Sequence, residues 1–305
     1  MLSNQRLIGT KQLVARLAVS AFLMASQTAS TGPITSYLSG ISVNVPDAIS
    51  AANSPSAAWA PGVADVSFTA QDFVGSDGYV GPGYGGQPYD LEALYVQAVG
   101  SNLIITGLSG ANLAAMPEGL SGSCPSGSPC NTFPVGDFFV GTGTVDNFTP
   151  VEGIEVTGQH YDMDSNGYTT GWTTPLAAGS VVDVNGADLV NGGFDRGLAV
   201  WNWVGSPSQI AASGYTGQSP LRRGSVTWET INGHAAFQAI VDTQYLGSVL
   251  NSNYVVHWGE LCGNDFIRTS VNVPEPGSLW LLAAGLLGTI TLTASRQRKA
   301  AQRLG

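Results

Sequence analysis

Lysine is almost missing from this chain. Lys11 and Lys299 stand near its two ends and none lies between them. Of the 11 Lys and Arg residues, seven fall among Arg6, Lys11, Arg16, Arg296, Arg298, Lys299 and Arg303. The long middle keeps Arg196, Arg222, Arg223 and Arg268, while all 21 acids lie between Asp47 and Glu275. The whole-chain charge of −10 therefore hides a middle of −17, four cations against 21 anions. A surface this acidic repels nucleic acid and anionic lipid headgroups. It suits divalent cations or a neutral glycan matrix, although solubility alone also explains an acidic secreted protein.

Cysteine is scarce too, with three in 305 residues. Cys124 and Cys130 bracket "PSGSP", a loop that a disulfide could close, leaving Cys262 over; pairing of Cys262 with either of the others is the alternative. Cysteine used in this way fits an oxidising compartment. No His stands at zinc spacing from a Cys pair. Gly-x-Ser-x-Gly, His-Glu-x-x-His and phosphate-loop motifs are absent, so no catalytic residue is assigned. Asp90 and Glu92 are spaced to share a strand face, as a carboxylate pair would, although glycosidase acids can also come from distant strands. No repeat at a solenoid or propeller period occurs, and no long polar linker divides the middle.

The two ends carry the long apolar runs. Arg6, Lys11 and Arg16 precede a short apolar run, Leu17 to Met24, and then "ASQTAS". This is the build of a secretory signal peptide over residues 1–30, with cleavage expected between Ala25 and Gly32. At the other end, Gly277 to Ser295 is 19 residues without a charge, followed at once by Arg296, Arg298 and Lys299. Roughly 20 apolar residues span a bilayer as a helix, and the basic residues hold that end on the cytoplasmic side. Leu279 to Ala294 is therefore expected to be a transmembrane helix. A buried C-terminal helix is the alternative, but it would carry a polar stripe.

Pro274, Glu275 and Pro276, then an apolar helix, then a basic end, resemble the PEP-CTERM sorting signal of Gram-negative bacteria that make exopolysaccharide. The resemblance implies that residues 273–305 are read by an exosortase, which cuts near the motif and releases or transfers the exported passenger. It also implies a transient stay in the inner membrane before the cell envelope or the extracellular space. Two prolines would keep the chain extended just outside the membrane.

Residues 31–272 form the passenger, rich in Gly, Ser, Thr, Asn and Val, which predicts many short strands and turns. Residues Thr31 to Trp59 read as a lead-in strand plus loop. In "GVADVSFTAQDFVG", Val66, Phe68 and Ala70 alternate. "YDLEALYVQAVG" turning through Ser101–Asn102 into "LIITGLSG" is the clearest hairpin. Leu91, Ala93, Tyr95 and Gln97 are expected on one face, Asp90, Glu92, Leu94 and Val96 on the other, with Tyr95, Val96, Ile104 and Ile105 in or near the core. Further strands are expected in "VGDFFVGTG", "GIEVTGQHYDM", "GSVVDVNG", "LAVWNWVG", "GSVTWETING", "HAAFQAIVD" and "YVVHWGELCG". The fold class expected is all-β, an antiparallel, jelly-roll-like β-sandwich. The "YDLEALYVQAVGSNLIITGLSG", "VGDFFV" and "YVVHWGELCGNDFIRTSVNVPEPGS" segments resemble a recurrent passenger of this kind, similar in layout to the family-9 type of carbohydrate-binding module, which implies a sandwich.

Three further features carry candidate chemistry. "DMDSNGY" sets Asp162, Asp164 and Asn166 two apart before Gly167, the opening of a calcium loop; Thr173 occupies the place of the bidentate acid, so an EF-hand is excluded. A plain polar hairpin turn is the alternative. "DVNGADLVNGGFD" reads as turn chemistry. Trp201 and Trp203 would share a strand face, either stacked on sugar rings or packed between sheets; Trp228 and Trp258 pose the same choice, and His257 reads as structural. The functional expectation is a non-enzymatic surface or matrix protein sorted by exosortase, with exopolysaccharide as candidate ligand and calcium as candidate cofactor. The alternative is a secreted carbohydrate-active enzyme.

Overall fold

A computed structural model describes residues 32–47, 53–75, 87, 90–110, 135–157, 160–163, 169–173, 177–184, 189–195, 200–210, 222–251, 253–260 and 265–272. A helix, α1 (Pro33–Gly40), comes first, followed by a 3-10 turn at Ser56–Trp59. The strands are β1 (Val66–Ala70), β2 (Leu91–Val99), β3 (Asn102–Ser109), β4 (Val135–Gly143), β5 (Phe148–Ile154), β6 (His160–Met163), β7 (Thr169–Thr173) and β8 (Ser180–Asp183). They continue as β9 (Leu189–Asp195), β10 (Val200–Ile210), β11 (Arg222–Arg223), β12 (Ser225–Ile231), β13 (His234–Asp242), β14 (Tyr254–Glu260) and β15 (Phe266–Val271), with 3-10 turns over Thr243–Asn251.

Two antiparallel sheets carry the fold, in the orders β1-β2-β3-β13-β12 and β11-β8-β5-β4-β14-β15. They share a core: Leu94, Val96, Ile105 and Phe237 of the first sheet pack with Phe138, Val140, Ile154, Val256, Trp258 and Ile267 of the second. Burial of each such side chain contributes on the order of 1.5–3 kcal/mol. The connections interlock the sheets. β3 and β13 are neighbours in one sheet, and the strands that follow them, β4 and β14, are neighbours in the other.

The β2–β3 hairpin forms with its turn one residue earlier than expected. Val99 pairs with Asn102, so Gly100 and Ser101 make a two-residue turn, with Gly100 at φ +62°. A positive φ at the first turn position matches the twist of the strands, and glycine adopts it without strain. Val96 and Ile105 lie in the sandwich core, Ile104 is half-buried, and Tyr95 is fully buried on the opposite face. The expected alternation breaks at one point. Leu91 pairs with Ser109 and Ala93 with Leu108, which makes Glu92 the extra residue of a β-bulge. The bulge moves Leu91 away from Ala93 and Tyr95, onto the core face with Leu94 and Val96.

The lead-in segment is a helix rather than a strand. Pro33 occupies the first turn of α1, where its missing N–H costs nothing. Ile34, Leu38 and Ile41 recur at helical spacing and are buried against Trp59, Val66, Tyr95, Ile231 and Ala236. Thus α1, the residues after it to Val45, and the turn at Trp59 cover the outer face of the five-stranded sheet. Glu229 of β12 caps the helix, its carboxylate accepting the N–H of Ile34 (3.2 Å) and of Thr35 (2.8 Å). On the outer face of the other sheet, Phe139, Val182, Val184 and Ile210 form a smaller cluster.

Five strands, β5, β7, β9, β11 and β15, lie wholly or largely outside the segments expected to be strands. β5 begins before the expected "GIEVTGQHYDM" and contains Pro150, which lies beside a register shift against β4; proline in a strand belongs at such irregularities. β9 pairs with β10 although its "LVNGGFD" reads as turn chemistry. Among the described residues no helix is long and apolar enough to cross a membrane. The expected signal peptide, the expected Leu279–Ala294 helix and all three cysteines lie outside the described residues.

Candidate functional site

The carboxylates Asp90 and Glu92 do converge, and they bring a third with them. Asp90 precedes β2, Glu92 is the bulge residue, and Asp72 follows β1, the antiparallel neighbour of β2. One ligand atom from each of Asp72, Asp90 and Glu92 lies within 4.8 Å of the others, and all three side chains are buried. Sequence spacing identified Asp90 and Glu92. Asp72 was not singled out, because its approach depends on the β1–β2 pairing.

Each carboxylate is held by specific donors. The Oδ2 of Asp72 accepts the Ser54 N–H at 2.8 Å, and the Oδ2 of Asp90 accepts the Phe73 N–H at 3.1 Å. The other oxygens, Asp72 Oδ1 and Asp90 Oδ1, are buried without a completed hydrogen bond, with the Trp59 indole N–H acting on Asp72 and the Asp265 carboxyl on Asp90. Glu92 takes the Gln87 side-chain amide on Oε1 and faces His234 Nδ1 with Oε2. The opposite ring nitrogen of His234 lies 2.9 Å from the Pro46 carbonyl, and its ring meets Trp59 edge-on at 5.3 Å. Gln87 keeps its carbonyl Oε1 buried and without a donor.

A fourth buried acid backs this group. Asp265 accepts the Leu91 N–H at 2.7 Å on Oδ2, and the Phe266 N–H at 2.7 Å and the Gln71 amide at 3.2 Å on Oδ1. Burial raises the Asp265 pKa well above the carboxylate range, Asp90 and Glu260 adding to it. Burial likewise pushes Asp90 up to about 8, helped by the charges of Glu92 and Asp72. It raises Glu92 against the opposing pull of His234, and it raises Asp72 as well. Like charges crowded out of water must take up protons or a cation.

Other candidate residues fall elsewhere. Trp258 is fully buried between Phe138 and Phe237, so it is a core residue, whereas Trp228 on β12 is 46% exposed. His257 is buried, with Nε2 2.7 Å from the Pro207 carbonyl and Nδ1 accepting the Arg268 Nε–H at 3.0 Å. Asp162 stands on β6 opposite Gly171, so a hairpin flanks the "DMDSNGY" turn. Its side chain, and Asp164 and Asn166 entirely, lie outside the described residues. β10 carries Trp201 and Trp203, and its register against β9 shifts between Trp201 and Ser206; those two side chains also lie outside what is described.

The last described strand, β15, ends at Val271, where the C-terminal signal takes over. Residues 272–299 match the PEP-CTERM protein-sorting motif. The match takes in Pro274, Glu275, Pro276, Arg296, Arg298 and Lys299, none of them among the described residues. A PEP-CTERM motif implies an exported protein recognised by exosortase, with a membrane-associated C-terminus before processing. No curated protein and no solved structure matches the chain.

Proposed function

We propose that the protein is a non-enzymatic cell-surface or extracellular-matrix component, delivered by exosortase, whose ligand is exopolysaccharide. The PEP-CTERM motif directly behind β15 carries this reading. The interlocked strand pairs support a jelly-roll-like sandwich as the delivered unit. The glycan part draws on the acidic, lysine-free passenger, which suits a neutral polysaccharide better than an anionic one. Trp228 and Phe73, 46% and 55% exposed, offer flat apolar faces of the kind sugar rings stack on.

The sorting step is tested by replacing Pro274, Glu275 and Pro276 with alanine. The variant is expected to accumulate uncut in the inner membrane, while the parent loses its C-terminal segment. Mature extracellular protein that still ends at Gly305 overturns the reading. The ligand is tested on the host's own exopolysaccharide: retention without shortening of the polymer is expected, and polymer cleavage overturns the non-enzymatic assignment.

A further inference from the structure

We propose that Asp72, Asp90 and Glu92 form a calcium site that fastens the covering segment of the fold to the end of the sandwich. Three buried carboxylates with ligand atoms within 4.8 Å hold either protons or a cation among them. The passenger has little to supply. It holds no lysine, and of its four arginines Arg268 is engaged with the Val145 carbonyl at 2.7 Å and the Phe148 and Phe266 rings. Arg222 and Arg223 stand on β11, at the edge of the other sheet. Among the described residues His234 is the basic side chain that faces the group, and it engages Glu92.

The independent sign of a ligand is the set of oxygens that complete no hydrogen bond. Asp72 and Asp90 each use one oxygen to accept a backbone N–H, which fixes the carboxylate and leaves Oδ1 buried without a completed hydrogen bond, beside the Trp59 indole and the Asp265 carboxyl respectively. Buried acceptors in native proteins are nearly always satisfied, so such a pair marks a missing partner. Gln87, oriented by its amide bond to Glu92, adds a neutral buried carbonyl oxygen without a donor. All these atoms are hard oxygen donors, with no thiolate and one imidazole already engaged, which selects against zinc. An irregular carboxylate-and-amide set suits calcium, which accepts six to eight oxygens in loose geometry, better than magnesium, which demands an octahedron and keeps its water.

The position gives the ion a structural task. Asp72 follows β1 and holds the Ser54 N–H of the covering segment, Gln87 and Asp90 lie before β2, and Glu92 lies within it. A bound ion would tie these three stretches together. The choice of calcium over other hard cations draws on the exported location, where the ion is plentiful; the site itself does not depend on sorting. Failure in the purified protein is thus separate from failure of processing in cells.

The test uses the purified full chain stripped with chelator. Calcium is expected to bind with one-to-one stoichiometry and to raise Tm by about 5–10 °C at one hundred times its dissociation constant, with magnesium clearly weaker. Asp90→Asn and Glu92→Gln should abolish the calcium response in variants whose metal-free form still unfolds cooperatively. Asp162→Ala should keep the response. Should the variants fold poorly, terbium on the parent reads the same site: its emission, sensitised by the nearby Trp59, should fall on calcium addition and on Trp59→Phe. No calcium-dependent Tm shift in the parent, or a response that survives Asp90→Asn, overturns the proposal.

Discussion

His257 shows how two partners fix one protonation state. Arg268 can donate but not accept, so the 3.0 Å contact of its Nε–H requires a lone pair on His257 Nδ1. The Pro207 carbonyl, 2.7 Å from Nε2, requires a proton there. Phe139 of β4, Phe148 of β5 and Phe266 of β15 surround the ring, and Arg268, with Asp146 acting on it, is the charge that faces it. Burial, followed by the Arg268 charge, lowers the His257 pKa to about 3. In the unfolded chain the ring takes its proton near pH 6.5. Between those two values the unfolded state binds a proton that the folded state refuses, so stability falls as pH drops below about 6.5, by about 1.4 kcal/mol per unit. His257→Gln offers the same acceptor and donor without titrating. Its urea midpoint should fall less steeply than the parent's between pH 6.5 and 4.5. Parallel slopes for the two proteins would remove His257 from the acid sensitivity.

At the scale of elements, β3 and β14 meet at a side chain that exists and one that does not. Trp258 is buried, donates its indole N–H to the Gly136 carbonyl at 3.2 Å, and lies between Phe138 and Phe237. Its ring occupies the space above Gly107 on β3, where a Cβ would stand 2.5 Å from the indole carbons. Because the ring is held on three sides, Gly107→Ala should destabilise the protein by about 1–3 kcal/mol. Adding Trp258→Phe should recover part of that cost, leaving the double variant more stable than the sum of the single losses. A neutral Gly107→Ala in urea titration would show that the sheets can separate there. Strands with a clean pattern, such as β4 and β13, were legible from sequence because apolar residues on two buried faces leave few other readings. β5 and β9 were not, since Pro150 and "LVNGGFD" are tolerated only through bulges and partners supplied by the fold. The site was half legible. Spacing paired Asp90 with Glu92, but Asp72 and His234 reach them through β1 and β13, and no local pattern foretells those pairings.

Across the whole molecule the sandwich has two unlike ends. β15 runs from Phe266, next to Asp265 and the carboxylates, to Val271, just before the sorting motif. At the Val271 end lie Tyr254, the β4–β5 turn and the Gly100–Ser101 turn, the last joined to the 3-10 segment by Thr243 N–H to Ser101 at 2.8 Å. Six strand residues at about 3.3 Å each set the carboxylate end about 20 Å further from the motif. This arrangement leaves the carboxylates remote from the motif. It also leaves little slack at the near end. From Val271 to Pro274 is three residues, at most about 11 Å of extended chain, so the folded sheet stands close to the segment an exosortase must grip. Deleting Asn272 and Val273 should slow processing several-fold, because the edge of β15 would crowd the triplet. Inserting six Gly-Ser residues at the same place should leave processing at the parent rate or faster, since a flexible linker separates the two at small entropic cost. Pulse-chase measurement of C-terminal loss reads both variants. Deletion and insertion processed at the parent rate would mean that the passenger is still unfolded when the cut is made, or that the enzyme approaches from within the bilayer and never meets the sheet.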